Sequence, residues 1–156
     1  MMHPSQGDKR PLGEETQMRP SRSVNILGLI LLGWNLMGLV AFILQYDADL
    51  STLAKDDPYT AQIFAQMPGW AWAAYAVAVS AGTLGATLLL MRKAAAVGLF
   101  LLSVIAVIVQ FGYSFLGTDL LAVKGAATAI FPAIIFAIAV AQTAYARHLR
   151  AKGILR

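Results

Sequence analysis

Among the polar side chains inside stretches built mainly of Leu, Ile, Val, Ala, Gly and Phe, five stand out as one candidate set: Asn35, Ser80, Thr83, Ser103 and Gln110. None of them ionises near neutral pH, so their chemistry is that of carboxamides and hydroxyls, which donate and accept hydrogen bonds. A carboxamide left unpaired in hydrocarbon costs several kcal/mol. Asn35 and Gln110 must therefore face protein or water. Two readings follow. One is an interhelical hydrogen-bond network that holds helices together. The other is an intramembrane site for a neutral, hydrogen-bonding solute, open to the outside past Gln110. Ser and Thr can also close on the carbonyl four residues back in their own helix, which favours the first reading.

Other chemistry finds little support. The chain has no cysteine, and its two histidines, His3 and His148, lie toward the ends, away from any carboxylate cluster. Asp47, Asp49, Asp56 and Asp57 share one loop that holds no histidine. No phosphate-binding glycine loop, zinc-protease helix or nucleophile elbow occurs. The expectation is a protein that is not an enzyme and binds neither metal nor cofactor. Proton-coupled transporters usually carry an ionisable group inside the membrane; the apolar stretches here contain no Asp, Glu, Lys, Arg or His.

The elements that must position these groups are legible. Of 156 residues, 58% are hydrophobic and 13% charged, against about 25% charged in an ordinary soluble domain. Mean hydropathy is +0.66. A bilayer-spanning helix needs about 20 mostly apolar residues, and four stretches qualify: 24–45, 70–91, 94–115 and 126–146. The fold class expected is all-α, an integral membrane four-helix bundle in one domain. The first stretch exceeds the roughly 7–15 apolar residues of a signal peptide and reads as a retained span.

Charge orients the bundle. Lys9, Arg10, Arg19, Arg22, Arg92, Lys93, Arg147, Arg150, Lys152 and Arg156 fall on one side, whereas Lys55 and Lys124 fall on the other. By the positive-inside rule both termini are cytoplasmic. The net charge of +4 is then accounted for by topology and by anionic lipid headgroups, with no need of nucleic acid. Residues 1–23 read as a disordered cytoplasmic tail, and 147–156 as a basic cytoplasmic one. The outer loop, 46–69, carries a helix signature: Asp57 as N-cap, Pro58 at the first helical position and Pro68-Gly69 as the stop. Tyr59, Ile63 and Met67 recur every four residues, which predicts a short amphipathic helix on the outer surface, either a lid or a linker.

Within the spans, small residues mark the packing faces. Gly28, Asn35 and Gly38 share one face of span one, while Trp34 points elsewhere; Ala73, Ala76, Ser80 and Thr83 line up in span two, and Ser103, Ala106 and Gln110 in span three. Lipid tails are as apolar as leucine, so helices pair through close backbone approach and polar contacts. At about 1.5 Å per residue, Asn35, Ser80, Thr83 and Ser103 reach the midplane, which predicts one polar seam, with Gln110 in the outer third. Pro132 predicts a kink in span four.

Three segments, "LGWNLMG" (32–38), "MPGWAWAAYAVAV" (67–79) and "AVGLFLLSVIAVIVQFGYSF" (96–115), resemble a group of small bacterial four-span membrane proteins that often carry an automatic "sugar transporter" label. The likeness covers the first three spans. It implies a multi-pass protein of the bacterial inner membrane that transports a small neutral, sugar-like solute, and it brings no catalytic or binding residues with it. Four helices scarcely enclose a path for a sugar, so transport would call for a homodimer. The alternative is a structural or accessory subunit whose small-residue faces pair with partner membrane subunits.

Overall fold

The computed structural model describes residues 22–156. The stretch 1–21, expected as a disordered tail, lies outside the described residues, whereas Arg22 and Ser23 open the first helix. Seven α-helices follow: α1 Arg22–Tyr46, α2 Leu50–Asp56, α3 Pro58–Gln66, α4 Gly69–Leu90, α5 Ala96–Leu116, α6 Leu120–Lys124 and α7 Ile130–Ala151, with a 3₁₀ turn, Ala126–Ala129, leading into the last. Helix is the structure that satisfies every backbone group within one segment, as hydrocarbon demands. α1, α4, α5 and the segment Ala126–Ala151 are each long and apolar enough to cross a bilayer.

The four long helices form an arc. α4 packs against both α1 and α5, and α7 packs against α5; α1 and α7, the two edges of the arc, meet only sparsely. Small residues set how close they come. A Cβ at Gly82 of α4 would collide with Asn35 Oδ1, and one at Gly85 would lie 2.9 Å from the Phe100 ring of α5. A Cβ at Gly28 of α1 would lie 2.5 Å from Leu90 Cδ2. The outward side of α1 carries Ile26, Leu29, Ile30, Met37, Val40 and Leu44, each more than half exposed, an apolar face suited to lipid.

The apolar core lies toward the end of the bundle that holds the α4–α5 turn and most of the cations. Val24, Ala86, Leu89, Ala96, Phe100, Ala146, Leu149 and Leu155 are buried together there. The presence of Leu155 corrects the expectation of a tail. α7 continues to Ala151 and ends in a glycine cap: Gly153 has φ 71, and Ile154 N–H reaches Leu149 O at 3.0 Å. The chain then turns back on the α4–α5 turn, where Arg156 N–H donates to Arg92 O at 2.8 Å and Ala94 N–H donates to Arg156 O at 2.9 Å. α4 ends in the same kind of cap, with Lys93 N–H on Leu88 O at 2.8 Å. Its left-handed position, however, is filled by Arg92, at φ 59.

At the opposite end, two helices fill the loop where one was expected. Asp49 caps α2 through Ser51 N–H at 2.9 Å, and Asp57 caps α3 through Thr60 N–H at 3.1 Å, with Pro58 in the first turn. This loop is tied to the one after α5: Lys124 Nζ meets Asp57 Oδ2 at 2.5 Å, and Tyr59 Oη donates to Asp119 Oδ1 at 2.5 Å. The Lys124 ammonium also lies 5.9 Å from the centre of the Tyr59 ring. Pro132 does not kink a helix interior. It is the third residue of α7, where the helix emerges from the 3₁₀ turn and a missing N–H is well tolerated.

Candidate functional site

Asn35 occupies the middle of α1 and is 8% exposed. Its Nδ2 donates to Leu31 O at 2.7 Å and, across the arc, to Gln142 Oε1 of α7 at 3.0 Å. That contact joins the two edge helices. Gln142 is 3% exposed and lies twelve residues from Ile130 and nine from Ala151, well inside α7. Gln110 of α5 is 8% exposed. Among the described residues, its side-chain amide has no hydrogen-bond partner.

These three carboxamides line one cavity of about 330 Å³, to which all four long helices contribute. Asn35, Gln142 and Ser103 line it alongside Ala78, Val79 and Ala139; Gln110, Gln45 and Tyr75 also face it. Its apolar wall includes Trp34, Val107, Phe111 and Ile135. No side-chain nitrogen or oxygen among the described residues is both sealed off and unpartnered. The unbonded atoms, Asn35 Oδ1, Gln142 Nε2 and both amide atoms of Gln110, are thus not sealed off, and their residues line the cavity. They supply donors and acceptors and carry no net charge.

The five residues of the expected seam divide. Asn35, Ser103 and Gln110 come together on the cavity. Ser103 Oγ donates to Ala78 O at 2.7 Å, pinning α5 to α4. Thr83 is not part of the lining; its hydroxyl closes on Val79 O of its own helix at 2.8 Å. Ser80 is exposed on the far side of α4. Of the expected packing residues, Gly28 and Ala106 are buried, Gly38 and Ala76 are half-buried, and Ala73 is exposed. Trp34, read as pointing away from Asn35, flanks the same cavity. Successive helical residues are about 100° apart, and the cavity is wide enough to meet both.

Gln142 is the member that sequence reasoning missed. A fourth span ending at 146 leaves Gln142 in its last turn or so, near the interface, where a polar side chain needs no partner. The signal that would have found it is the stripe Ala139, Gln142, Thr143, Ala146, Leu149, spaced by threes and fours and buried throughout.

The cavity lining holds no carboxylate, amine, imidazole or thiol, and no group of three or more His, Cys, Asp or Glu capable of holding a metal occurs among the described residues. Ser103 has no base beside it; its proton goes to a backbone carbonyl. The site is therefore equipped for hydrogen bonding and apolar contact. Above it, an aromatic cluster closes the space between α1 and α4. Phe42 packs on Tyr75 at 5.1 Å between ring centres, Tyr46 on Trp72 at 5.4 Å, and Phe64 of α3 on Trp72 at 5.7 Å.

Electrostatics is concentrated in the loops. The Lys124 ammonium beside it, followed by the Thr60 hydroxyl and N–H, lowers the Asp57 carboxyl from 3.8 to about 2. Desolvation and the bond to Asp119 push the Tyr59 phenol up. Comparisons with protein-family profiles, curated proteins and solved structures find no match to this chain.

Proposed function

We propose that this protein lies in the bacterial inner membrane with both termini cytoplasmic, and that it binds a small neutral, sugar-like solute within the bilayer and carries it across. The observation that carries the reading is the cavity shared by Asn35, Gln110 and Gln142, whose amide groups have hydrogen-bonding capacity left over. Its volume of about 330 Å³ is at the small end of ligand sites, roughly 300–1,000 Å³. A lining without charge selects against ions, and a largely apolar wall with a few convergent polar groups is the usual make-up of a small-molecule site. Cytoplasmic termini are supported by Lys and Arg residues gathered at one end, where they also meet anionic headgroups. The resemblance of the first three spans to small four-span proteins labelled as sugar transporters points the same way.

A structural subunit would keep its small-residue faces for partner helices. Here Gly28, Gly82 and Gly85 are covered by Leu90, Asn35 and Phe100 of the same chain, which weighs toward solute binding. The test is flux of polyols and sugars into proteoliposomes, comparing the wild type with Gln110→Leu. Transport predicts a solute-dependent flux in the wild type that drops severalfold in the variant. Background flux for every solute in both proteins would remove the proposal.

A further inference from the structure

Two cavity-lining side chains face outward as well as inward: Met37 of α1 is 55% exposed and Phe131 of α7 is 61% exposed. They belong to the two edge helices, which meet only sparsely. Their exposure places an edge of the cavity beside the gap between α1 and α7, on the apolar outer side of the bundle. On the loop side of α1 and α4 the rings of Phe42, Tyr46, Phe64, Trp72 and Tyr75 pack on one another, and Tyr75 among them lines the cavity. At the other end lies the packed core around Leu89 and Phe100, both fully buried. The polar groups are sheltered by comparison: Asn35, Gln142 and Gln110 are each at least nine-tenths buried.

We infer that the ligand is a neutral amphiphile taken up from the bilayer, with a small hydroxyl- or amide-bearing head on Gln110 and the Asn35–Gln142 pair and an alkyl tail leaving between Met37 and Phe131. The inference rests on the reading of the cavity as a site for a neutral, hydrogen-bonding molecule and goes beyond the sugar-like solute by giving that molecule an alkyl tail and a route from the bilayer. The chemistry matches at both ends. A hydroxyl donates to a carboxamide oxygen and accepts from a carboxamide N–H, and the exposed rims of α1 and α7 are as apolar as the tail. A lipid-soluble molecule is concentrated in the membrane already, so it can reach these groups without crossing the aromatic cluster.

Trp34 lines the cavity and serves as a reporter. The full chain carrying Trp70→Phe and Trp72→Phe keeps it as the only tryptophan, since the sequence has three. In phosphatidylcholine vesicles, a terminally brominated undecanol should quench Trp34 saturably, half-saturating about tenfold below the bromoalkane of the same length, as expected for one or two hydrogen bonds. Gln110→Leu should abolish that difference, whereas Ser80→Ala, on the exposed side of α4, should keep it. Gln110 makes no side-chain bond within the described residues, so circular dichroism and size-exclusion profiles should match the parent. Equal quenching by alcohol and alkane overturns the inference. If glycerol or glucose perturbs Trp34 in a Gln110-dependent way while the bromoalcohol does not, the lateral route falls and the neutral-solute reading stands. If no probe gives a Gln110-dependent signal, both fall.

Discussion

Replacing Asn35 by Leu removes the side-chain hydrogen bond that joins α1 to α7, together with the bond to Leu31 O. The second loss is small, because Leu31 O keeps its helical partner. The first has two parts. Interhelical side-chain bonds in membrane proteins average about 0.6 kcal/mol and reach about 1.7 kcal/mol. The abandoned Gln142 carboxamide adds part of the roughly 1–3 kcal/mol that an unsatisfied buried group costs. It faces the cavity, so another donor can reach it, and the cost falls at the low end. Asn35→Leu should therefore destabilise the bundle by about 1–2 kcal/mol. The decisive measurement is a double-mutant cycle with Gln142→Leu, read from reversible unfolding in mixed micelles with a denaturing detergent. The double variant should be about 0.6–1.7 kcal/mol more stable than the sum of the single effects predicts. Additivity within about 0.3 kcal/mol would refute the assignment of this pair as the link between the two edges of the arc.

Gly82→Ala should destabilise by about 1–3 kcal/mol, the usual range for overpacking, because the new methyl collides with Asn35 Oδ1. Gly38→Ala, whose methyl would meet Val79 at an ordinary 3.5 Å, should change unfolding far less in the same assay. Arg92→Gly should raise the melting temperature: relief of a left-handed non-glycine residue, about 1 kcal/mol, outweighs the exposed 3.3 Å bond to Asn25. The Asp57 pKa is depressed from 3.8 to about 2, so its contribution to stability is present above about pH 4 and is lost as pH falls through 2. Protection of the α3 amides, read as exchange relative to the intrinsic rate at each pH, should fall across that window. In Asp57→Asn, which lacks the charge that holds Lys124, protection should be lower already at pH 5 and show no such step.

The spans were legible because a bilayer imposes a length and excludes charge, and runs of about 20 apolar residues free of Asp, Glu, Lys and Arg are hard to mistake. The cap of α3 was legible because Asp57 and Pro58 each have one favoured place at a helix start. The buried face of α4 was not. Thirteen of the 22 residues of that helix are Gly, Ala, Ser or Thr, so spacing alone allowed a stripe through Ala73, Ala76, Ser80 and Thr83. The helix actually buries Ala78, Ala81, Gly82, Gly85, Ala86 and Leu89. The Thr83 hydroxyl misled, since it closes on its own backbone, and the glycines marked the contact. The return of 154–156 to the α4–α5 turn was hidden for a similar reason. Polar and charged composition suggested a tail, while Leu155 and the Gly153 cap specified a docked segment.

The bond between Asn35 and Gln142 spans 107 positions of sequence, and that separation is also a delay. At about 5–20 residues per second of synthesis, roughly 5–20 s pass between the appearance of the amide in α1 and of its partner in α7. During this interval α1 holds a carboxamide at its middle without the helix that will receive it. The Leu31 carbonyl, one turn back, is within 2.7 Å and belongs to the same helix, so it occupies one amide proton from the start. The remaining groups await α4, α5 and finally α7, and the order of the arc follows the order in which the chain emerges.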